Sequence, residues 1–244
     1  MGLFSAVIAE LANADATVPR SFKVYREEQG FPNADTAASI SVDSLRRLNA
    51  ELADARAMVF RLGSPGGAKV GSRFALAKCV TDWNDYFLDD VRLAEGVIPE
   101  LFIPAGSVRD LYAFQLLPAL TEVSLVNLAL ASGLLGYALG LDDPLRPIVP
   151  ATGQSTFDFR VRPHTAHSTI WNHNRGQVEL DSLFVARRSG KESLFVVEAK
   201  CSDLLDTLAK HKLVYPILAL RSRVPKHLTI VPVYLRILKT GNEL

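Results

Sequence analysis

The chain has 244 residues, 48% of them apolar and 22% charged, with a formal net charge of +1. This composition excludes a disordered tail and allows one large domain or two smaller ones. The charge is unevenly spread: residues 1–150 hold 13 Lys and Arg against 18 Asp and Glu, whereas residues 151–244 hold 14 against 8. An anionic ligand is therefore sought first in the C-terminal part. Cys79 and Cys201 are too few for a disulfide framework or a four-thiolate zinc site, so a reducing, cytoplasmic setting is expected. The opening residues carry no basic stretch, and Ala6 stands where myristoylation needs Ser or Thr. Neither a secretory signal nor a myristoyl anchor is expected.

In chain order, residues 41–62 read as an amphipathic helix. Ser41 or Asp43 would cap it, and Leu45, Leu48, Leu52, Ala55, Val59 and Leu62 recur at helical spacing. The glycine-rich run from Gly63 to Ser72 reads as a flexible surface connection. It departs from a phosphate-binding loop because Ala68 precedes Lys69 and Val70 stands where a magnesium-binding hydroxyl belongs. A strand is expected over Arg73–Val80 and a helix over Asp82–Leu93. The spacing of Asp82, Asp85, Asp89 and Asp90 gives a solvated helix face rather than a cation site. Pro99 and Pro104 precede a helix starting near Ser107. Residues 1–112 thus form an α/β N-terminal region suited to a target, a protein partner or a second copy. Residues 113–244 form a second domain.

From Val123 to Leu141 there are 19 residues without a charge. The flanking Glu122, Asp142 and Asp143 are acidic, and Ser124, Asn127, Ser132, Gly133 and Gly136 dilute the apolarity. The run reads as part of a buried core helix over Leu120–Leu139, not as a membrane span. Pro144, Pro147 and Pro150 make a stiff connection. Strands are then expected at Phe157–Val161, Gln177–Arg188 and Ser193–Lys200, a helix from Asp203, and a strand at Leu228–Ile237. The order is α-β-β-β-α-β.

A two-residue turn at Ser189-Gly190 pairs Arg188 with Lys191 and sets the register of a hairpin. Continued along the ladder, it puts Asp181 opposite Glu198 and Glu179 opposite Lys200, all four on one face. Two facing carboxylates repel unless a positive charge lies between them. A divalent ion would provide it, with Lys200 beside the ion to position a water or neutralise a phosphate. Acid-x-Lys should occur about once by chance in a chain of this composition, and it occurs once, at Glu198-Ala-Lys200. The signal lies in its context: an apolar strand, an opposing acid and a following helix.

These residues resemble the PD-(D/E)xK nuclease superfamily, the restriction-endonuclease-like fold, over about residues 118–244. Asp181 matches the first metal-binding acid, Glu198 the second and Lys200 the lysine, although Leu180 stands where the motif has Pro. The resemblance implies an α-β-β-β-α-β core with a mixed sheet. It further implies a metal ligand from the Ala199 carbonyl and an extra acid at Glu122. His211 and Tyr215 are similar to the Gln-x3-Tyr element of the exonuclease branch, with His in place of Gln.

The run from Pro163 to Arg175 holds His164, His167 and His173. Zinc binding and an HNH-type nuclease are competing readings, but the spacing secures neither. A polar connection touching substrate backbone is preferred. The expected activity is that of a magnesium- or manganese-dependent phosphodiesterase, a DNA endonuclease of restriction, defence or repair type acting on double-stranded DNA. The alternative is a non-catalytic interaction subunit on the same fold. Asp181, Glu198 and Lys200 would carry the chemistry, with Glu179, Glu122, His211 and Tyr215 in second rank. Backbone phosphate contacts would come from Arg160, Arg162, Arg175, Arg187, Arg188, Lys210 and Lys212.

Overall fold

The computed structural model describes residues 2–66, 70–104 and 108–238. Residues 67–69 of the glycine-rich connection and Ser107, the expected start of a helix, lie outside the described residues. The elements are α1 (Ser5–Glu10), β1 (Arg20–Ser21), α2 (Phe22–Glu28), α3 (Thr36–Ile40), α4 (Ala50–Asp54), β2 (Ala57–Arg61), β3 (Arg73–Lys78), β4 (Phe87–Asp89) and α5 (Asp90–Ala94). They continue as α6 (Val108–Gln115), α7 (Glu122–Ala131), α8 (Leu134–Ala138), β5 (Ala151–Val161), β6 (Trp171–Arg188), β7 (Lys191–Ser202), β8 (Thr207–Ala209), α9 (His211–Leu220) and β9 (Thr229–Leu238). The protein is therefore mixed α/β.

The chain divides into two compact units. The first comprises Met1–Leu93, Ser155–Val178 and Asp206–Lys212; the second comprises Ala94–Gln154, Glu179–Leu205 and Leu213–Leu244. The expected boundary after residue 112 falls inside α6, within the second unit, and the units exchange chain segments.

In the first unit, β1, β3 and β2 form an antiparallel sheet, and β4 pairs with β8. Phe4, Phe22 and Tyr25 gather around Phe74, with ring centroids 5.2–6.1 Å from it. Two expected helices are corrected here. Residues 41–62 hold a 3-10 turn at Leu45–Arg47, then α4, then strand β2. Arg56 adopts φ 51° and its carbonyl accepts the Cys79 N–H, which turns the chain out of the helix. The Ala57-Met-Val-Phe run then pairs with β3. Residues 82–93 likewise divide into a 3-10 turn, β4 and α5, because Phe87–Asp89 pair with β8. That pairing also claims the segment after Asp203, so the expected helix starts only at His211.

The second unit carries the expected hairpin. Ser189 at φ 53° and Gly190 at φ 75° make the turn, and Arg188 pairs with Lys191. Both central residues take positive φ, as a tight turn matching strand twist requires. The sheet order is β5-β6-β7-β9, with β6 and β7 antiparallel and β7 and β9 parallel. The long apolar helix is broken: Gly133, at φ 82°, separates α7 from α8. Thr121 caps α7 by accepting the Ser124 N–H. Val126, Ala129 and Leu135 pack with Phe184, Phe195, Val197, Ala199 and Val233, so the charge-free segment belongs to a protein core. Among the described residues no helix is long and apolar enough to cross a membrane.

Candidate carboxylate–lysine site

β7 is buried on both faces from Ser193 to Ala199, so its alternate residues enter two different environments. Phe195, Val197 and Ala199 join the helix-covered core. Glu198 falls on the other face, with only 6% of its surface exposed. A carboxylate so buried requires a compensating charge or hydrogen bonds. Its Oε1 lies 3.3 Å from the Lys200 Nζ, two residues along the same face.

Lys200 makes a second ion pair, 3.1 Å to Oε2 of Glu122, in the first turn of α7. The other Glu122 oxygen accepts the Cys201 N–H at 3.0 Å. Glu122 therefore joins the helix start to the end of β7 through one side chain and one backbone bond. Burial disfavours the Lys200 ammonium, but Glu198, Glu122 and Asp181 more than offset it. The lysine pKa is raised above its ordinary value.

Asp181 meets the same strand differently. The ladder pairs Ser182 with Val197, and one residue earlier the Asp181 carboxylate accepts the Ala199 N–H at 2.8 Å. Glu179 does not pair with Lys200, as the register had suggested; its Oε1 accepts from the Gln154 amide at 3.1 Å. The arrangement thus brings Glu122, Asp181, Glu198 and Lys200 into one electrostatic group and leaves Glu179 outside it. The role of Glu122 as partner to Lys200 and Cys201 has one local signal in the sequence, an acid directly after the Thr121 cap.

His211 and Tyr215 begin α9, but belong to different units. The His211 ring packs 5.8 Å from Phe60 in the first unit, whereas Tyr215 is buried in the second. Desolvation pushes the His211 pKa down to about 3. Arg160, Arg162 and Arg175 are exposed and lie in the first unit. Lys212 belongs there too, and Lys210 donates to the Asn84 carbonyl.

The histidine run is not the polar connection expected. His167 and His173 are 3% and 2% exposed. His173 stacks on Phe159 at 4.2 Å and 13°, its Nδ1 3.3 Å from the Phe157 carbonyl oxygen. His164 faces Asp85 at 3.7 Å and the His167 ring at 5.6 Å. Desolvation holds His173 down to about 4 and also lowers His167. His167 and His173 pack as neutral aromatic bodies. Among the described residues, no group of three or more His, Cys, Asp or Glu is gathered to hold a metal ion.

No curated protein and no solved structure matches the chain. Residues 107–242 match the model of a family described as a domain of unknown function, DUF6997. This stretch spans the whole carboxylate–lysine group and more than half of the protein, and the chain belongs to that family.

Proposed function

We propose that this protein is a magnesium-dependent nuclease of the PD-(D/E)xK kind, hydrolysing phosphodiester bonds in double-stranded DNA as an endonuclease of restriction, defence or repair type. The observation that carries the reading is the grouping of Glu122, Asp181, Glu198 and Lys200 at the end of one hairpin. The succession α7, β5, β6, β7, α9, β9, with β9 parallel to β7, supports a restriction-endonuclease-like core.

The donor set suits a hard cation. Magnesium is commonly held by one or two carboxylates, with waters and a substrate phosphate completing its shell. Asp181 and Glu198 would hold it, with the Ala199 carbonyl as a further oxygen, while both Glu122 oxygens are engaged by Lys200 and the Cys201 N–H. Bound there, the ion would supply Lewis-acid polarisation and a nucleophilic hydroxide near neutral pH. Lys200 stays an ammonium through neutral pH because its pKa is raised, so it can orient a water and neutralise charge on a phosphate. Glu122 fixes where that ammonium lies. Arg160, Arg162, Arg175 and Lys212 provide candidate phosphate contacts. The N-terminal region would serve a protein partner or self-association, in a cytoplasmic setting.

One observation favours the second reading, a non-catalytic interaction subunit. Lys200 already compensates Glu198 and Glu122, so the group satisfies itself as a structural ion network. Incubation with supercoiled, linear and single-stranded DNA and with RNA, in magnesium, manganese or chelator, separates the two. Cleavage that needs the metal and is lost in Lys200→Ala supports the nuclease; no cleavage of any substrate under either metal supports the subunit.

A further inference from the structure

In the second unit, the stretch from Ala94 through α6 to Thr121 is largely apolar, with Glu95, Glu100, Arg109 and Asp110 its only charged residues. Yet none of residues 94–104 and 109–121 is buried. A short helix is held in place by packing its apolar face, and Leu111 and Phe114 of α6 are no more than half-buried. Nearby, Leu101 and Val149 are each 90% exposed and Ile98 is 83% exposed. This part of the protein keeps in water the kind of side chain that the rest of the unit encloses.

The exposed pieces adjoin one another. The Phe102 ring lies 6.2 Å from that of Tyr137, which joins the segment before α6 to α8. Leu145 approaches Gly133 at the start of α8, and Phe114 of α6 shares a groove with Leu145 and Ile148. At roughly 150 Å² per large side chain, Ile98, Leu101, Ile103, Leu116, Tyr137 and Val149 leave on the order of 700 Å² uncovered. The largest apolar patch of an ordinary monomer is about 300–600 Å². Exposed Tyr112 and Leu145 carry the total past about 800 Å², the share each partner gives to a standard interface.

We propose that this surface is a homodimer interface, covered by the same surface of a second copy about a two-fold axis. The area is what a stable dimer needs, and homodimer interfaces are the more apolar class. A patch so poor in charge has no strong field with which to select a different, charged partner. An identical chain is present in equal amount wherever this one is made, so the cover is always at hand. A lipid surface fits less well, because interfacial helices hold lipid with Lys and Arg, and three of the four charges here are acidic. The surface shares no residue with the carboxylate–lysine group. The inference therefore stands apart from the nuclease reading and gives self-association a definite place.

Sedimentation velocity on the full chain should show, at micromolar concentration, a species of twice 26.7 kDa that dissociates on dilution. Leu101→Asp and Ile98→Asp change side chains that the single chain leaves open, so each should keep the native far-ultraviolet circular dichroism. Each should weaken dimerisation at least tenfold. Val18→Asp, at a residue 73% exposed in the first unit, should leave the dimer intact. A chain that stays monomeric at high micromolar concentration would overturn the proposal. So would a dimer that Leu101→Asp and Ile98→Asp leave intact, or one that Val18→Asp disrupts equally. Monomers that float with phosphatidylcholine vesicles would also overturn it, by giving the surface to lipid.

Discussion

The two units handle buried titratable groups in opposite ways. In the first, His167 and His173 are stripped of water and stay neutral, with aromatic rings as neighbours. In the second, Glu198 is as thoroughly buried but keeps an ion pair to Lys200, itself paired with Glu122. The difference teaches what each environment can offer. An imidazole discards its charge at a cost of a few pKa units, whereas an opposed ammonium and carboxylate each retain charge by supplying the other's counterion. Pairing of that kind adds little net stability over an apolar core.

The largest expected effect tests the neutral side. The unfolded chain takes up protons at these histidines near pH 6.5, while folded His173 resists until about pH 4 and His211 until about pH 3. Stability must therefore fall as pH drops from 6.5 towards 4, by up to roughly 3 kcal/mol from His173 alone. Urea unfolding across that range should show the loss, and His173→Phe should make it shallower by the His173 share, leaving that of His211 and His167. An unchanged slope in that variant would remove His173 from the account.

On the charged side, Lys200→Met leaves Glu198 and Glu122 without their shared cation. Because these side chains keep partial contact with solvent, the cost should be about 2 kcal/mol, below that of a fully enclosed pair. Adding Glu198→Gln should recover part of it, and strict additivity in that double-mutant cycle would deny the coupling. The raised lysine pKa makes the contribution of Lys200 complete below about pH 10.4 and lost as pH rises through its higher folded value. The histidines thus weaken their unit in acid, and Lys200 weakens its own in alkali.

A smaller effect belongs to the break between α7 and α8. Gly133→Ala places a side chain at φ 82°, with its Cβ 3.0 Å from the Leu145 side chain, and should cost about 1 kcal/mol in thermal or urea unfolding. A neutral outcome would mean that the two helices merge without penalty.

Smallest in stability is Asp181→Asn. An amide oxygen can still accept the Ala199 N–H, and one negative charge leaves a group of three carboxylates and one lysine. The metal-free protein should keep its stability or gain up to about 1 kcal/mol. Under the nuclease reading the same variant loses cleavage, so melting temperature beside cleavage rate distinguishes a site acid from a structural one. A melting point several degrees lower, with cleavage retained, would make Asp181 structural.

Much of the second unit was legible because local rules suffice there. Ser189-Gly190 set the register, and the two-residue period of a strand assigned Glu198 and Lys200 to one face. The fit of the Glu122 carboxylate between Lys200 and Cys201 was not legible, since 78 residues separate Glu122 from Lys200. Elsewhere local rules misled. Leucines at helical spacing over 41–62 suggested one helix, yet pairing with β3 drew Ala57–Arg61 into a strand. Pro163–Arg175 looked polar by composition, yet His167 and His173 are among the most buried residues.

By itself, then, the sequence determined the hairpin and its register, the core character of the charge-free segment and the placing of Glu198 and Lys200 on one strand face. Each follows from a turn requirement, a two-residue period or a run of apolar side chains, which act over a few neighbouring positions. Only the tertiary structure decided that residues 57–61 and 207–209 become strands, that the histidines lose their charge, and that Lys200 is shared by Glu122 and Glu198. The physical reason is that strand pairing, desolvation and Coulomb attraction depend on distance in space, and the groups concerned are brought close only when remote parts of the chain pack.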